Sequence, residues 1–442
     1  MHQILKNIFK QIFYQNDPEL LNNPYKKSQD YFIAQNFFAT AFLHFTGGIF
    51  LTGFAIYLGA RDELVGYIAI LPNICGIFLI LGGFFLQRFS SKKRLALILI
   101  VITKTLFCSI VLIPLLASKE IQSAALFIVL IFAYTLQALT SIALNNWFIS
   151  VVPEKIRGRY FAIRQSFALI VTIGLPLFIG RLLDLAGNKY LGFLILYGLG
   201  FVVMIMELYT CFQITEPFAV KTADEKYRFK EIFVLPVKNK EFMYYTSFLF
   251  VLYIILWLSC CFTQVYILKY LKLSYTFANS LGMFSAVLQI IFLQIWGKIG
   301  DRYGHQFVMD ICIWFFAGEM FFWALLSKPY ILVLMPIAYL FSAIANSGFL
   351  VSVFNRRYMI IPGNARTVYD GFYSAAIGVA FILGPSIGAM LKFSIASNFW
   401  IQKNIPFGEF RVLYLISCIG VIMLKLLELL GRVNSRKISI SS

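Results

Sequence analysis

Long apolar runs broken by short polar punctuation repeat along the whole chain. A bilayer core of about 30 Å takes about 20 residues of α-helix to cross. The runs at 31–59, 64–86, 95–117, 121–149, 165–187, 190–213, 244–268, 273–296, 306–326, 330–354, 368–393 and 409–431 are each long enough, so the pattern predicts twelve transmembrane helices. Ahead of them, Ile4, Leu5, Ile8, Phe9, Ile12 and Phe13 fall at helical spacing with Lys6, Asn7, Lys10 and Gln11 opposite. That is an amphipathic helix lying on a membrane surface, not a cleavable signal. The longest hydrophilic segment, 214–243, falls between the sixth and seventh runs. The expected organisation is a tail over 1–30, a six-helix bundle over 31–213, a central loop over 214–243, a second six-helix bundle over 244–431 and a tail over 432–442.

Composition agrees: 60% of residues are hydrophobic and 13% charged, against about 25% charged in soluble domains. The expected class is an all-α polytopic membrane protein. A net charge of +18 could suggest nucleic acid, but the basic residues form short clusters between apolar runs instead of a stripe on a soluble surface, and a nucleic-acid partner is excluded. An even number of spans places both tails on one side. Roughly two thirds of the 38 lysines and arginines lie in the tails and the loops on that side, so both termini are expected in the cytoplasm. The opposite loops are short except 394–408, and no Asn-x-Ser/Thr sequon occurs, which fits a bacterial inner (plasma) membrane better than a glycosylated cell surface. The seven cysteines lie in or beside apolar runs without a CxxC pair or a spaced histidine. Neither disulfides, nor a metal, nor a cofactor is expected.

The two halves repeat. Asn146, Pro153, Arg157, Tyr160 and Pro176 return as Asn355, Pro362, Arg366, Tyr369 and Pro385, all at one constant offset. A polar knot after the eighth run, Gly297-Lys-Ile-Gly-Asp301-Arg302-Tyr-Gly304, has a counterpart after the second, in which Gly83 aligns with Gly297 and Arg88 with Arg302. In these features the chain resembles the major facilitator superfamily over residues 31–431: twelve spans as two pseudo-symmetric six-helix bundles, a long central cytoplasmic loop and a G-x-x-x-D-R-x-G motif after spans two and eight. The resemblance implies a cytoplasmic gate built from Gly83, Gln87, Arg88, Arg157, Gly297, Asp301, Arg302, Gly304 and Arg366. Physically, Gly297 and Gly300 would let helices approach closely, Gly304 would allow the tight turn, and Asp301 would sit at the positive end of the fifth span near Arg157, Arg159 and Arg164. The first-half motif departs from the family pattern. Gln87 replaces its aspartate and Ser90 its glycine, so that latch should be the weaker. The antiporter arginine of the fourth span is missing, with Tyr134 near its place, and Thr215-Glu216-Pro217 lacks the arginine of the sugar-porter signature.

The resemblance further implies a cavity lined by the first, fourth, seventh and tenth spans. Their polar stripes are Asn36, Thr40 and His44; Tyr134, Gln137, Ser141 and Asn145; Trp257, Cys261 and Gln264; and Tyr339, Ser342 and Asn346. Gln137 and Asn346 are related by the repeat offset. For any one of these residues, bonding between neighbouring helices is an equal alternative. His44, within a span, is a proton-coupling candidate. Lys104 and Glu319 are mid-span ions on the third and ninth spans, each costing about 2.5–3.5 kcal/mol if unpaired. The resemblance places them outside the cavity and apart, with Lys104 snorkelling or finding a carbonyl. Since none of the four stripes holds an ionisable carboxylate, lysine or arginine, a neutral, zwitterionic or amphipathic solute is expected.

These readings converge on a secondary transporter working by alternating access, expected as a monomer, with a small-molecule substrate, the lipid bilayer and a possible coupling ion, H+ or Na+, as its partners. A lipid or lipid-linked-sugar flippase on the same scaffold is the alternative. A membrane-embedded enzyme is the weakest, with no P-loop, no HExxH and no Asp/His pair within a span. If the second-half knot latches the cytoplasmic side, Asp301→Asn shifts the protein toward inward-open states, measured as increased labelling of cysteines introduced on the cytoplasmic face; unchanged labelling removes the latch.

Overall fold

The structure, a computed structural model, describes residues 25–75, 91–152, 154–215, 231–362 and 366–441. Among these every regular element is helical: α1 (Lys26–Thr46), α2 (Gly48–Tyr57), α3 (Asp62–Cys75), α4 (Lys92–Ser109), α5 (Gln122–Val151), α6 (Glu154–Leu185), α7 (Lys189–Gln213), α8 (Glu231–Lys238), α9 (Lys240–Cys260), α10 (Tyr275–Tyr303), α11 (His305–Leu325), α12 (Ile331–Ile360), α13 (Arg366–Ala396), α14 (Phe399–Asn404) and α15 (Gly408–Ser441). Among the described residues ten stretches are long and apolar enough to cross a membrane; α3 and α6 supply the second and fifth positions of the expected plan. The surface helix expected near the N-terminus lies outside the described residues.

Short polar side chains set where the apolar runs begin to coil. Ser91, Asn188, Asn239 and Ser274 each accept a hydrogen bond from the backbone N–H of a residue two or three positions into the helix, satisfying donors that the first turn leaves unpaired. The first run is broken at Gly47 and Gly48, the latter at φ +59°, a left-handed conformation that glycine adopts without strain. Helices also overrun the expected loops. α6 begins at Glu154, and α15 continues to Ser441 through the expected tail, because Glu, Lys, Arg and Leu favour helix even where the chain is too polar to be read as a span.

The described residues pack as two units: 25–59, 91–152 and 154–215 in one, and 60–75, 231–362 and 366–441 in the other. The boundary differs from the expected bundle over 31–213, because α3 packs with the second unit, mainly on α13. There Tyr67 donates to Ser386 Oγ at 2.6 Å, the Ser386 proton being directed to the carbonyl of Ile382. In the first unit, α1, α4, α5, α6 and α7 converge on Phe32, Ile100, Trp147, Phe148, Tyr160 and Ile214, all buried. The repeat is visible in detail. Tyr160 donates to the carbonyl of Gln29 at 2.5 Å and packs on Phe148, while Tyr369 donates to the carbonyl of Leu235 at 3.2 Å and packs edge-on against Phe242. In the second unit, Gly384 and Gly388, one turn apart on α13, lie against the backbone of Ile254 and Leu258 on α9. A methyl at either position would collide with a main-chain carbonyl, so these glycines set the α9–α13 spacing.

In each unit a buried lysine is held by a carboxylate on another helix. Lys104 of α4, 4% exposed, forms an ion pair with Glu207 of α7, 1% exposed. Gln35 of α1 donates to the other Glu207 oxygen at 3.0 Å, and the Phe42 ring lies 4.4 Å from the ammonium. The expectation that Lys104 snorkels or meets a carbonyl is therefore corrected: a carboxylate three spans away completes it. In the second unit Lys425 of α15 pairs with Asp310 of α11 at 2.6 Å and with Glu428. The repeat thus joins its third span to its sixth, and its ninth to its twelfth, through an ion pair, with the lysine on opposite partners.

Removing one member strands the other in an apolar interior, which costs about 3–5 kcal/mol, whereas replacing both by apolar residues is close to neutral. Lys104→Met is expected to lower the unfolding temperature in detergent sharply and Lys104→Met/Glu207→Met to recover most of the loss; equal losses in the single and double variants would show that the pair does not carry the coupling.

Candidate substrate cavity

The close seam between α9 and α13 fixes one wall of a cavity of about 560 Å³ inside the second unit. From α9 it presents Tyr253, Trp257 and Cys260, with Phe381 of α13 edge-on to Trp257 at 5.2 Å and tilted against Tyr253 at 5.5 Å. The opposite side comes from α11 and α12, whose long shared contact places Phe316, Glu319 and Trp323 beside Tyr339, Ser342, Asn346 and Phe349. Asn73 of α3 completes the lining. This volume suits a small organic ligand, for which cavities run to about 300–1,000 Å³.

Polar groups form a chain along the α11–α12 side. Asn346 Nδ2 donates to the carbonyl and to Oγ of Ser342, at 2.9 and 3.1 Å, and the Ser342 hydroxyl hydrogen-bonds Glu319. At the other end, Arg357 Nε lies 3.0 Å from Asp370 Oδ1, and the guanidinium sits 4.3 Å from the centre of the Tyr373 ring. Among the described residues no group of three or more His, Cys, Asp or Glu side chains is placed to hold a metal ion.

Four of the residues expected on the seventh and tenth spans, Trp257, Tyr339, Ser342 and Asn346, line this cavity. Gln264 does not; its neighbour Thr263 does, with its hydroxyl 2.6 Å from Tyr414 Oη. In the first unit, Asn36 and His44 of the α1 stripe are engaged with α6, and Thr40 with its own helix. Asn36 donates to the carbonyl of Arg164 at 3.3 Å, Thr40 to the carbonyl of Asn36 at 2.8 Å, and His44 Nε2 lies 3.3 Å from Thr172 Oγ1. Tyr134 is corrected from a lining residue to a core one: it is buried edge-on against Phe107, with ring centres 4.9 Å apart. Ser141 donates to the carbonyl of Gln137 at 3.0 Å, and both remain partly exposed. The Asn145 side chain lies outside the described residues.

Two expectations about charge are overturned. The stripes expected to line the cavity hold no carboxylate, lysine or arginine, yet Glu319 and Arg357 both line it. Glu319 was placed outside because the family plan assigns the lining to four spans, whereas here α11 contributes a full wall. Arg357 was missed because the apolar run of the tenth span stops before it, while α12 continues as helix to Ile360. The signal available was the carboxylate itself, an ion in an apolar run that only a specific environment tolerates.

Of the gate residues, Gly83, Gln87 and Arg88 lie outside the described residues, and the side chains of Arg157, Asp301 and Arg366 do also. Gly304 ends α10 at φ +89°, the left-handed turn its glycine was expected to supply. Gly300 packs directly on the His305 ring. Gly297, however, faces open space, which corrects its expected part in close helix approach. Arg302 is exposed, its guanidinium 5.4 Å from the Tyr303 ring.

A second charged cluster was not anticipated. Asp62, 6% exposed at the start of α3, accepts from Lys269 at 2.5 Å, Tyr270 at 2.6 Å and Lys392 of α13 at 2.7 Å. Lys392 also reaches Glu63 at 3.8 Å. Burial pushes the Asp62 carboxyl upward, but hydrogen bonds from Lys269, Lys392 and Tyr270 outweigh it and hold the group below the usual carboxylate range.

Solved structures with the same course of helices include a mutant of the nucleoside transporter NupG, with a TM-score of 0.72, 16% identity and coverage of 90% of this chain and 98% of that one. The fold is of the major-facilitator type. A bacterial homologue of the iron transporter ferroportin in an inward-facing state aligns at a TM-score of 0.64 with 15% identity, over 90% and 97% of the two chains. A D-xylose-proton symporter does so at 0.62 with 15% identity, over 90% and 96%. In sequence, multidrug resistance protein 3 of Bacillus subtilis (strain 168) is 24% identical over 125 residues, 28% of this chain, and the match spans 24% of that protein's length. No protein-family model matches the chain.

Because the folded-state pKa of Asp62 is depressed, the cluster's contribution is fully present above the ordinary carboxylate value of about 4 and is lost as pH falls through the depressed one. Asp62→Asn is expected to lower the melting temperature by an amount that is constant from pH 8 to about pH 5 and shrinks below about pH 4. A gap independent of pH would mean that the lysines are not paired with an ionised Asp62.

Proposed function

We propose that this multi-pass membrane protein is a secondary transporter that carries a small amphipathic solute by alternating access, and that the cavity among α9, α11, α12 and α13 is part of its binding site. The observation carrying the reading is this cavity, bounded by aromatic faces and by the Asn346–Ser342–Glu319 chain, in a chain whose fold is shared with nucleoside, sugar and metal transporters. Aromatic faces supply apolar contact area, and the amide, hydroxyl and carboxylate supply orientation. The neutral part of the expected solute range loses its support with Glu319 at the wall, while the amphipathic part keeps it. The solute exchanges with both sides as the fold rocks about the site. The Asp62 cluster fastens the start of α3 to α13 and to the end of the seventh span, so it must loosen whenever α3 parts from them. The gate motif around Gly304 acts on the other side of the membrane. Its setting is proposed to be a bacterial inner membrane with both termini in the cytoplasm, in keeping with the distribution of basic residues.

The test is a thermal-shift screen of purified protein against metabolites and drugs, followed by uptake into proteoliposomes. Trp257→Ala and Asn346→Ala are each expected to weaken a hit's binding by roughly tenfold, about 1.4 kcal/mol, and to slow uptake in parallel, with Thr40→Ala as a control outside this cavity. Hits whose affinity survives both cavity changes undiminished would remove the site.

A further inference from the structure

Among the described residues, buried acids are matched by cations, with one exception. Glu207 has Lys104, Glu428 and Asp310 share Lys425, and Asp62 has Lys269 and Lys392. Glu319, 9% exposed, has no lysine or arginine partner among the described residues. Its hydrogen-bonding neighbour is Ser342, whose hydroxyl is oriented by Asn346. The other titratable groups facing it are Cys260 of α9, Tyr339 of α12 and Tyr414 of α15, none of them positive. The cation that does line the cavity, Arg357, is engaged with Asp370 and lies over Tyr373.

An ionised carboxylate withdrawn from water without a counter-charge is costly, and such groups persist in membrane proteins where a ligand or a proton supplies the missing charge. The surroundings of Glu319 favour a particular kind of ligand. Trp257, Trp323 and Tyr339 line the same space, and aromatic faces attract positive charge that has been stripped of water. A neutral solute leaves the carboxylate uncompensated, and an anion is repelled by it.

We infer that the cavity is a receptor for an organic cation, a molecule with a flat apolar body and one ammonium-type charge, the charge seated at Glu319 and the body among the rings. The inference rests on the transport reading and names its substrate class. A proton and the cation compete for one carboxylate, so their occupancies are mutually exclusive. Proton release to one side and cation uptake from it are then linked through Glu319, without any role for His44, which is engaged with Thr172.

The probes are tetraphenylphosphonium, a permanent cation, and triphenylphosphine oxide, an uncharged molecule with the same rings, titrated into the purified full-length protein by calorimetry. The cation is expected to bind at least roughly tenfold tighter. Its affinity falls as pH is lowered, while that of the oxide stays level. Glu319→Gln weakens the cation by roughly tenfold or more and leaves the oxide within about twofold; Glu319→Asp, which keeps the charge, retains most of the cation's affinity. Equal binding of the two probes by the wild-type protein, a preference that does not change with pH, or no binding of the cation overturns the assignment, and these readings need no variant to fold. If Trp257→Ala and Asn346→Ala weaken other hits but the cation does not displace them, the cation assignment fails and the cavity stands. If no ligand responds to either cavity change, the transport site itself fails.

Discussion

A charge packed among apolar side chains is withdrawn from water, so it must be met by another group of the protein or of its cargo. That requirement organises the molecule. Lys104 and Glu207 join α4 to α7, and Lys425 with Asp310 and Glu428 joins α11 to α15, each pair giving two helices a register that apolar side chains alone do not specify. In lipid the hydrophobic effect does not drive one helix onto another, so specificity of this kind must come from ions, hydrogen bonds and close packing. The Asp62 cluster applies the same rule at the start of α3, and Glu319 is the site where the protein leaves the rule open.

Much of the fold was legible because a membrane helix announces itself by length and composition. The two-half plan was legible because the repeat preserves Tyr160 and Tyr369, and the structure gives a reason: each hydroxyl binds a main-chain carbonyl near the start of its own half of the sequence. What could not be read was which helix face meets which neighbour. Glu207 is an unremarkable residue near the end of an apolar run until α7 brings it to Lys104. The first-unit stripe of Asn36, Thr40 and His44 has the spacing of a lining surface, yet Asn36 and His44 bond to α6 and Thr40 to the carbonyl of Asn36 on its own helix. Periodicity assigns residues to one side of a helix; it does not say whether that side faces a neighbour or a hollow.

The cavity was partly legible for the same reason. Trp257, Tyr339, Ser342 and Asn346 sit on helices assigned to the lining by family resemblance, and they do face the open space. Glu319 was noticed but placed outside because its helix was thought peripheral, and Arg357 was passed over because its apolar run ends early. A polar residue inside a run carries more information than its position in a family plan, since the cost of placing it there demands a local account.

The glycine seam between α9 and α13 bears on selectivity. With Gly384 and Gly388 resting against the main chain of α9, those two helices have no side-chain cushion to compress, and Trp257 and Phe381 stand on a stiff backing. On the α11–α12 side the glycines Gly318 and Gly348 meet the side chains of Phe341 and Cys312 instead of main chain. Molecules entering the hollow are therefore gauged against a rigid rear wall, and accommodation of different sizes falls to the front.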